Sequence, residues 1–167
     1  EALAPLQQAR IIDATEGTAG HTLELVKVGA NVLGIDLDRE MLEEATKRLK
    51  EACPTPNQNG LGSLKLTHGN FRNIDVIASR EDFKEVDGVL FDLGVSNLQL
   101  MGEKRGFSFG YPEAALDMRI DTNSQAVTAS DLLNGLRADQ LTALFSKVLT
   151  PSQSRFLASR VIEQRER

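Results

Sequence analysis

Short apolar runs and helical stripes alternate along the chain up to Asp92. Runs typical of buried strands cover residues 11–13, 31–36 and 86–92, and a weaker alternation at 63–67 predicts an edge strand. Apolar residues recur at helical spacing over 22–28 and again at Met41, Ala45, Leu49 and Ala52, with Asp38 as the expected N-cap. Strands that alternate with helices in this way indicate an α/β fold with parallel strands.

The pattern changes after Asp92, where the strand signals end. Two segments that mix aromatic and charged residues follow, at 104–110 and 116–121, and they are typical of functional loops. Helical stripes then return in three places: residues 129–133, a stripe formed by Leu141, Leu144, Phe145 and Val148, and a last helix from Thr150-Pro151 to Val161. The sequence therefore predicts a helical tail after the α/β part.

A glycine turn follows the first strand. Gly17 and Gly20 come directly after a β-branched run and before a helical stripe, so the chain is expected to stop and bend sharply there. In α/β folds, ligands bind at this carboxyl edge of the strands. The spacing lacks the third glycine of a dinucleotide fingerprint, and a plain strand-to-helix connection stays open as the alternative.

The second strand ends in a carboxylate, Asp36. An acid at this position, about 20 residues past a glycine turn, is placed to accept the hydroxyl groups of a ribose, whereas capping the next helix is the alternative role. Adenine would then lie at the end of the third strand, where Asn70 offers an amide and Phe71 an apolar face. A Phe71 buried in the core is the alternative.

Three strands end in acidic residues, Asp13, Asp36 and Asp92. Parallel strands bring these ends to one edge of the sheet, and crowded carboxylates are unfavourable unless a cation or hydrogen-bond donors lie between them. The sequence therefore predicts a binding site at this edge.

Composition limits the classes of protein. The 167 residues are 41% hydrophobic and 26% charged, which is enough apolar material for a globular core. A net charge of -5 argues against a free-standing nucleic-acid binder. The single cysteine, Cys53, excludes an internal disulfide, and no segment approaches the roughly 20 apolar residues of a membrane span.

Seven ordered motifs together resemble one family, the RsmH (MraW) methyltransferases. They are Asp13-Ala14-Thr15 with Gly17 and Ala19-Gly20-His21; Gly34-Ile35-Asp36-Leu37-Asp38; His68-Gly69-Asn70-Phe71; the run from Asp87 to Ser96; Gln99-Leu100; Arg105-Gly106-Phe107-Ser108-Phe109; and Leu116-Asp117-Met118-Arg119. The resemblance implies an S-adenosyl-L-methionine-dependent methyltransferase acting on the N4 amino group of a cytidine in small-subunit ribosomal RNA.

The resemblance also implies a fold and a set of site residues. The fold would be part of a Rossmann-like class I sheet with strands ordered 3-2-1-4, with a cofactor domain at 1–120 and the start of a helical insertion at 121–167. The implied cofactor residues are Gly17, Ala19, Gly20, His21, Asp36, Phe71, Asp92 and Gln99, and the residues expected near the RNA are Arg105, Asp117 and Arg119. No metal is implied.

Asp92 and Ser96 are the candidate catalytic residues. The amino nitrogen of cytosine is a poor nucleophile because its lone pair is delocalised into the ring. An enzyme must therefore hold this nitrogen in line with the methyl group and provide acceptors for the hydrogen bonds of its N–H groups. Asp92 and Ser96, at the carboxyl end of the predicted fourth strand, offer these acceptors. The expected partner is small-subunit ribosomal RNA, a homodimer is open, and the expected compartment is the cytoplasm, with mitochondrion or plastid as alternatives.

Two departures from the family qualify the resemblance. Glu16 stands where the family has an apolar or small residue, so its charge is expected to repel the methionine carboxylate of the cofactor. The chain also stops at Arg167, where the family continues, so we expect the 167 residues alone to bind cofactor weakly and to transfer little methyl. A non-catalytic binding module and a nicotinamide-dependent oxidoreductase are the alternative functions, and the missing third glycine argues against the latter.

Overall fold

The computed structural model describes residues 6–53, 60–102 and 105–165. Its internal contacts divide the chain into two compact units, Glu1–Ser96 and Asn97–Arg167, called here the first and second unit. The sequence-based boundary between a cofactor domain at 1–120 and a helical insertion at 121–167 is a different division of the chain, and it stays a prediction.

A four-stranded parallel sheet forms the centre of the first unit. Its strands are β1 (Arg10–Asp13), β2 (Asn31–Asp36), β3 (Leu64–His68) and β4 (Gly88–Leu90), in the order β3-β2-β1-β4. The predicted α/β class and strand order are confirmed. The fourth strand is shorter than the predicted 86–92, so Phe91 and Asp92 lie beyond its end.

Three helices cover this sheet. They are α1 (Gly20–Lys27), α2 (Arg39–Ala52) and α3 (Ile74–Arg80), the last preceded by a 3₁₀ turn at Phe71–Asn73. Alternate strand residues point to opposite faces, so Ile11 belongs to the core under α1 and α2, whereas Ile12 belongs to the core that includes Ile77 of α3. Residues 72–84 are a polar segment with only a weak helical pattern, yet they include α3, because Ile77 and Phe83 are buried against the sheet.

Helix α2 follows the predicted pattern closely at its start. Its Met41, Ala45 and Leu49 are buried, and the carboxylate of Asp38 accepts the N–H of Glu40 at 3.0 Å as the predicted N-cap. Ala52, the last member of the predicted stripe, is exposed, and the buried residue at this end is Cys53.

Asp38→Ala is expected to lower the free energy of unfolding of the first unit by about 1 kcal/mol. The substitution leaves the N–H of Glu40 without its acceptor at the start of α2. Urea unfolding measures the loss, and Asp38→Asn is the matched control because its amide oxygen still accepts. Equal losses in the two variants would contradict the capping role.

The second unit is helical, with α4 (Asn97–Met101), α5 (Ala129–Gly135), α6 (Ala138–Phe145) and α7 (Pro151–Arg165). Proline occupies the first position of α7, as predicted, and Leu141 of α6 and Ala158 of α7 are buried. Val148 does not join the predicted stripe: α6 ends at Phe145, and Val148 is exposed.

None of the helices in the described ranges is both long enough and apolar enough to cross a bilayer.

Candidate functional site

The loop between β1 and α1 bends at two residues with left-handed backbone angles. Gly17 has φ of +54°, and Ala19, the N-cap of α1, has φ of +66°. Glu16 donates its N–H to the carbonyl of Ile35 at 3.0 Å, which ties the loop to β2. The bend is therefore at Gly17 and Ala19, while Gly20 is already the first residue of the helix and is exposed together with His21.

Asp36 joins the end of β2 to this glycine turn. Its Oδ2 accepts the N–H of Gly17 at 2.7 Å, and its Oδ1 accepts the N–H of Asp38 at 2.8 Å. Burial raises the pKa of Asp36, and hydrogen bonds from backbone N–H groups, first those of Asp38 and Gly17, oppose that shift. Because Asp38 caps the following helix, the contact that Asp36 makes with Gly17 serves to hold the turn.

Glu16 is the unexpected member of the site. Its side chain is only 3% exposed and packs over Gly34, where a methyl group would overlap it. Oε2 accepts the hydroxyl of Thr22 at 2.6 Å, and Oε1 has no hydrogen-bond partner in the part of the chain that the structure describes. Burial raises the pKa of Glu16 from 4.5 to about 9; the hydrogen bond from Thr22 opposes this rise, and the charges of Asp13 and Asp36 add to it. A pKa of about 9 favours the neutral form of Glu16 at pH 7, which argues against the expected repulsion of the cofactor.

Asp13 lies beside Glu16 and is 1% exposed. Its Oδ1 accepts the N–H of Thr15 at 3.1 Å, and its Oδ2 lies 3.4 Å from the hydroxyl of Thr22. Burial raises the pKa of Asp13, and nearby His21 lowers it. The carboxyl group that the fold brings to Asp13 and Asp36 is thus that of Glu16, which the sequence placed in the cofactor loop but did not predict as a member of the carboxylate group.

Asp92, expected as the third member of the carboxylate group, reaches the site through its backbone. Its N–H donates to Oγ1 of Thr15 at 2.7 Å, which joins the end of β4 to the end of β1, while its side chain is exposed. Ser96 is half-buried, and its hydroxyl donates to Sδ of Met41 at 3.2 Å. Both residues belong to the first unit, on the segment that leaves β4.

Phe71 forms an aromatic pair with Phe91. The rings meet edge to face with centroids 5.7 Å apart, and the two residues are 42% and 49% exposed. Phe71 is therefore not a core residue, which removes the alternative left open by the sequence. The partly exposed ring of Phe71 therefore offers an apolar surface to a planar ligand.

The remaining predicted site residues belong to the second unit. Gln99 is buried in α4, and the guanidinium of Arg105 donates to the carbonyl of Ile120 at 3.4 Å. Arg119 binds the carboxylate of Asp117 through two hydrogen bonds of 2.6 and 2.7 Å and also donates to the carbonyl of Gln125. Arg119 holds the pKa of Asp117 below its usual range. These contacts order the segment from 117 to 125, and a role toward ligand stays a prediction.

Three residues of the site were missed from the sequence: Thr15, Thr22 and Phe91. Each makes its contact with a residue that is distant in sequence or across a turn, so no local periodicity marks it. Metal ligation has no support here, since no three His, Cys, Asp or Glu side chains are suitably grouped within residues 6–53, 60–102 and 105–165.

Comparison with known proteins gives one family. The profile of the MraW methylase family matches residues 1–167. A ribosomal RNA small subunit methyltransferase H from Halothermothrix orenii is 39% identical over 158 residues, which is 93% of this chain and 47% of that protein.

Two further relatives with the same name are similar over the whole chain. The protein of Deinococcus deserti is 36% identical over 167 residues, covering 100% of this chain and 51% of that protein. That of Thermotoga neapolitana is 34% identical over 168 residues, covering 99% and 53%. The chain thus spans about half the length of the curated relatives it matches.

Proposed function

The chain belongs to the MraW methylase family, and on this basis we propose that it forms the cofactor-binding part of an S-adenosyl-L-methionine-dependent methyltransferase. The proposed substrate is the N4 amino group of a cytidine in small-subunit ribosomal RNA. The names of the relatives support methylation of small-subunit ribosomal RNA, and the choice of the cytosine N4 atom rests on the motifs.

The observation that carries the proposal is the link between Asp36 and the glycine turn. A 2.7 Å hydrogen bond from the N–H of Gly17 fixes Asp36 at the carboxyl end of β2. Each oxygen of that carboxylate accepts one backbone N–H and keeps a further lone pair, so it is able to accept the two hydroxyl groups of a ribose.

The other residues present fit the same cofactor. Phe71 offers a half-exposed aromatic face for adenine, and Gly20 and His21 expose the start of α1 to the methionine end. S-adenosyl-L-methionine supplies an activated methyl group on a positively charged sulfur. Nearby carboxyl groups, those of Asp13 and Asp36, favour a cation electrostatically. Gln99 is proposed as a further cofactor contact from the motif alone.

Asp92 and Ser96 are proposed to hold the amino group that receives the methyl. The carboxylate of Asp92 is exposed, and its backbone is held by Thr15, so it offers an acceptor on a fixed chain segment. Acceptance of the N–H hydrogens by Asp92 and Ser96 would aim the nitrogen at the methyl group, so positioning contributes more than proton transfer. A stacked cytosine would first have to leave its helix.

Contacts with RNA are proposed for Arg105, Asp117 and Arg119. The bidentate pair between Asp117 and Arg119 shapes the segment that carries them, so we assign these two residues to shaping the RNA entrance. A cytoplasmic location and a homodimer of the full protein also remain predictions.

S-adenosyl-L-methionine at about 100 times its dissociation constant is expected to raise the free energy of unfolding by roughly 2.7 kcal/mol. Asp36→Asn is expected to lose most of this gain, because the ribose loses a charged acceptor. Asp75→Asn is the matched control, since Asp75 is an exposed acid in the same unit. Urea unfolding with and without ligand measures each gain.

Two results would contradict the proposed function. Stabilisation by a nicotinamide dinucleotide without stabilisation by S-adenosyl-L-methionine would favour an oxidoreductase. Cooperative unfolding that no nucleoside ligand shifts would favour a non-catalytic binding module.

A further inference from the structure

Glu16 lies in the β1–α1 loop of the proposed cofactor site, and its side chain is buried. Its backbone N–H binds β2 through Ile35, its side chain packs over Gly34 of the same strand, and its carboxyl group contacts Thr22 of α1. One residue therefore joins the β1–α1 loop to a strand and a helix at once. Gly17, the next residue, carries the hydrogen bond to Asp36.

The contacts of the Thr22 hydroxyl indicate whether Glu16 is protonated or ionised in this arrangement. It carries one proton and lies 2.6 Å from Oε2 of Glu16 and 3.4 Å from Oδ2 of Asp13. If both acids were ionised, two anions would share that proton. If Glu16 is protonated, the direction of the 2.6 Å bond reverses: Glu16 donates to Oγ1 of Thr22, and Thr22 can donate to Asp13, so that each contact has its own proton.

We propose that Glu16 is a positioning residue, which acts through Thr22 as a neutral acid to hold the β1–α1 loop in its cofactor-binding shape. Ionisation of Glu16 in alkali then opens the loop and weakens cofactor binding. This inference rests on the proposed function, because it concerns the same site.

The groups around Glu16 support a neutral form. Asp13 of β1 and Asp36 of β2 both raise the pKa of Glu16, and His21 of α1 lowers the pKa of Asp13. An ionised Glu16 would add a buried negative charge beside Asp13 and Asp36, with Oε1 unpartnered in the described part of the chain. Burial, together with these neighbours, accordingly raises the pKa of Glu16 to about 9.

The test is the pH dependence of S-adenosylhomocysteine binding, measured by calorimetry on the whole chain. This ligand lacks the reactive sulfonium, so it withstands alkali. Wild-type affinity is expected to fall about tenfold more than that of Glu16→Gln between about pH 8 and about pH 10, as follows for a single acid that must be protonated. Titration of the ligand itself changes the affinities of wild type and Glu16→Gln equally, so it cancels when the two are compared.

Two further variants separate positioning from simple packing. Glu16→Leu fills the space without a donor to Thr22, and it is expected to bind about tenfold more weakly than wild type at pH 7. The matched control Glu24→Gln changes an exposed acid on α1 and should keep the wild-type pH profile. Infrared spectra at pH 7 should show a carboxylic-acid carbonyl band that Glu16→Gln lacks.

Several results would overturn the proposal. Parallel pH profiles for wild type and Glu16→Gln would remove the role of the proton, and full affinity in Glu16→Leu would remove the role of the hydrogen bond. If no protein binds the ligand at pH 7, the proposed function fails as well. If wild type and all variants bind the ligand and their affinities change with pH in parallel, only this inference is contradicted.

Discussion

Glu16→Gln is expected to become steadily more stable than wild type as pH rises, with a gap that widens by about 3 kcal/mol between about pH 6 and about pH 8.5. The reason is the pKa of Glu16, which is 4.5 in ordinary surroundings and about 9 in the fold. Between these two values the folded chain holds a proton that the unfolded chain has released.

The sign follows from that difference in bound protons. Stability falls with pH wherever the folded state binds more protons than the unfolded state, so Glu16 stabilises fully below about pH 4.5 and loses this contribution up to about pH 9. Glutamine resembles the protonated acid and does not titrate. Asp13 and Asp36 also have raised pKa values, so the variant keeps a smaller decline in the same direction.

Urea unfolding at a series of pH values measures this gap. Glu24→Gln is the control, because Glu24 is exposed and its removal should leave the wild-type slope unchanged. A constant difference between Glu16→Gln and wild type across the series would show that Glu16 is ionised in the folded protein.

Gly62→Ala is expected to lower the free energy of unfolding of the first unit by about 3 kcal/mol or more. Gly62 is buried just before β3, and an added methyl group would overlap the backbone carbonyl of Ala30. Two backbone hydrogen bonds hold the chain at this place. The N–H of Gly62 donates to the carbonyl of Val26 at 2.9 Å, and the carbonyl of Ser63 accepts the N–H of Val32 at 2.8 Å.

Gly94→Ala provides the matched control in the same unit. Among the described residues other than its two chain neighbours, no atom lies within 4 Å of the methyl group that this substitution adds, so its effect on unfolding should stay within about 0.5 kcal/mol. Urea unfolding of the two variants beside wild type compares them directly. Similar losses would mean that the contact between Gly62 and Ala30 does not limit the fold.

Periodicity predicted the sheet well because strands and helices differ in local spacing. The buried strand β2 was expected at 31–36 and is found at Asn31–Asp36, and the cap at Asp38 was also expected. Helix α3 was not predicted, because the packing of Ile77 and Phe83 against the sheet stabilises a segment whose own helical pattern is weak. Val148 shows the opposite error, a good local pattern that continues beyond the end of its helix.

Residue types and their order along the chain determined the α/β class, the ends of the strands, and the glycine turn and acid that favour a nucleoside cofactor. Tertiary structure alone decided the state of Glu16. In sequence it is an acid in a loop, but in the fold it lies among Asp13, Thr22 and Gly34 and stays neutral. The physical reason is that a pKa depends on the water removed and the charges gathered around a group, and both come from chain segments that only folding brings together.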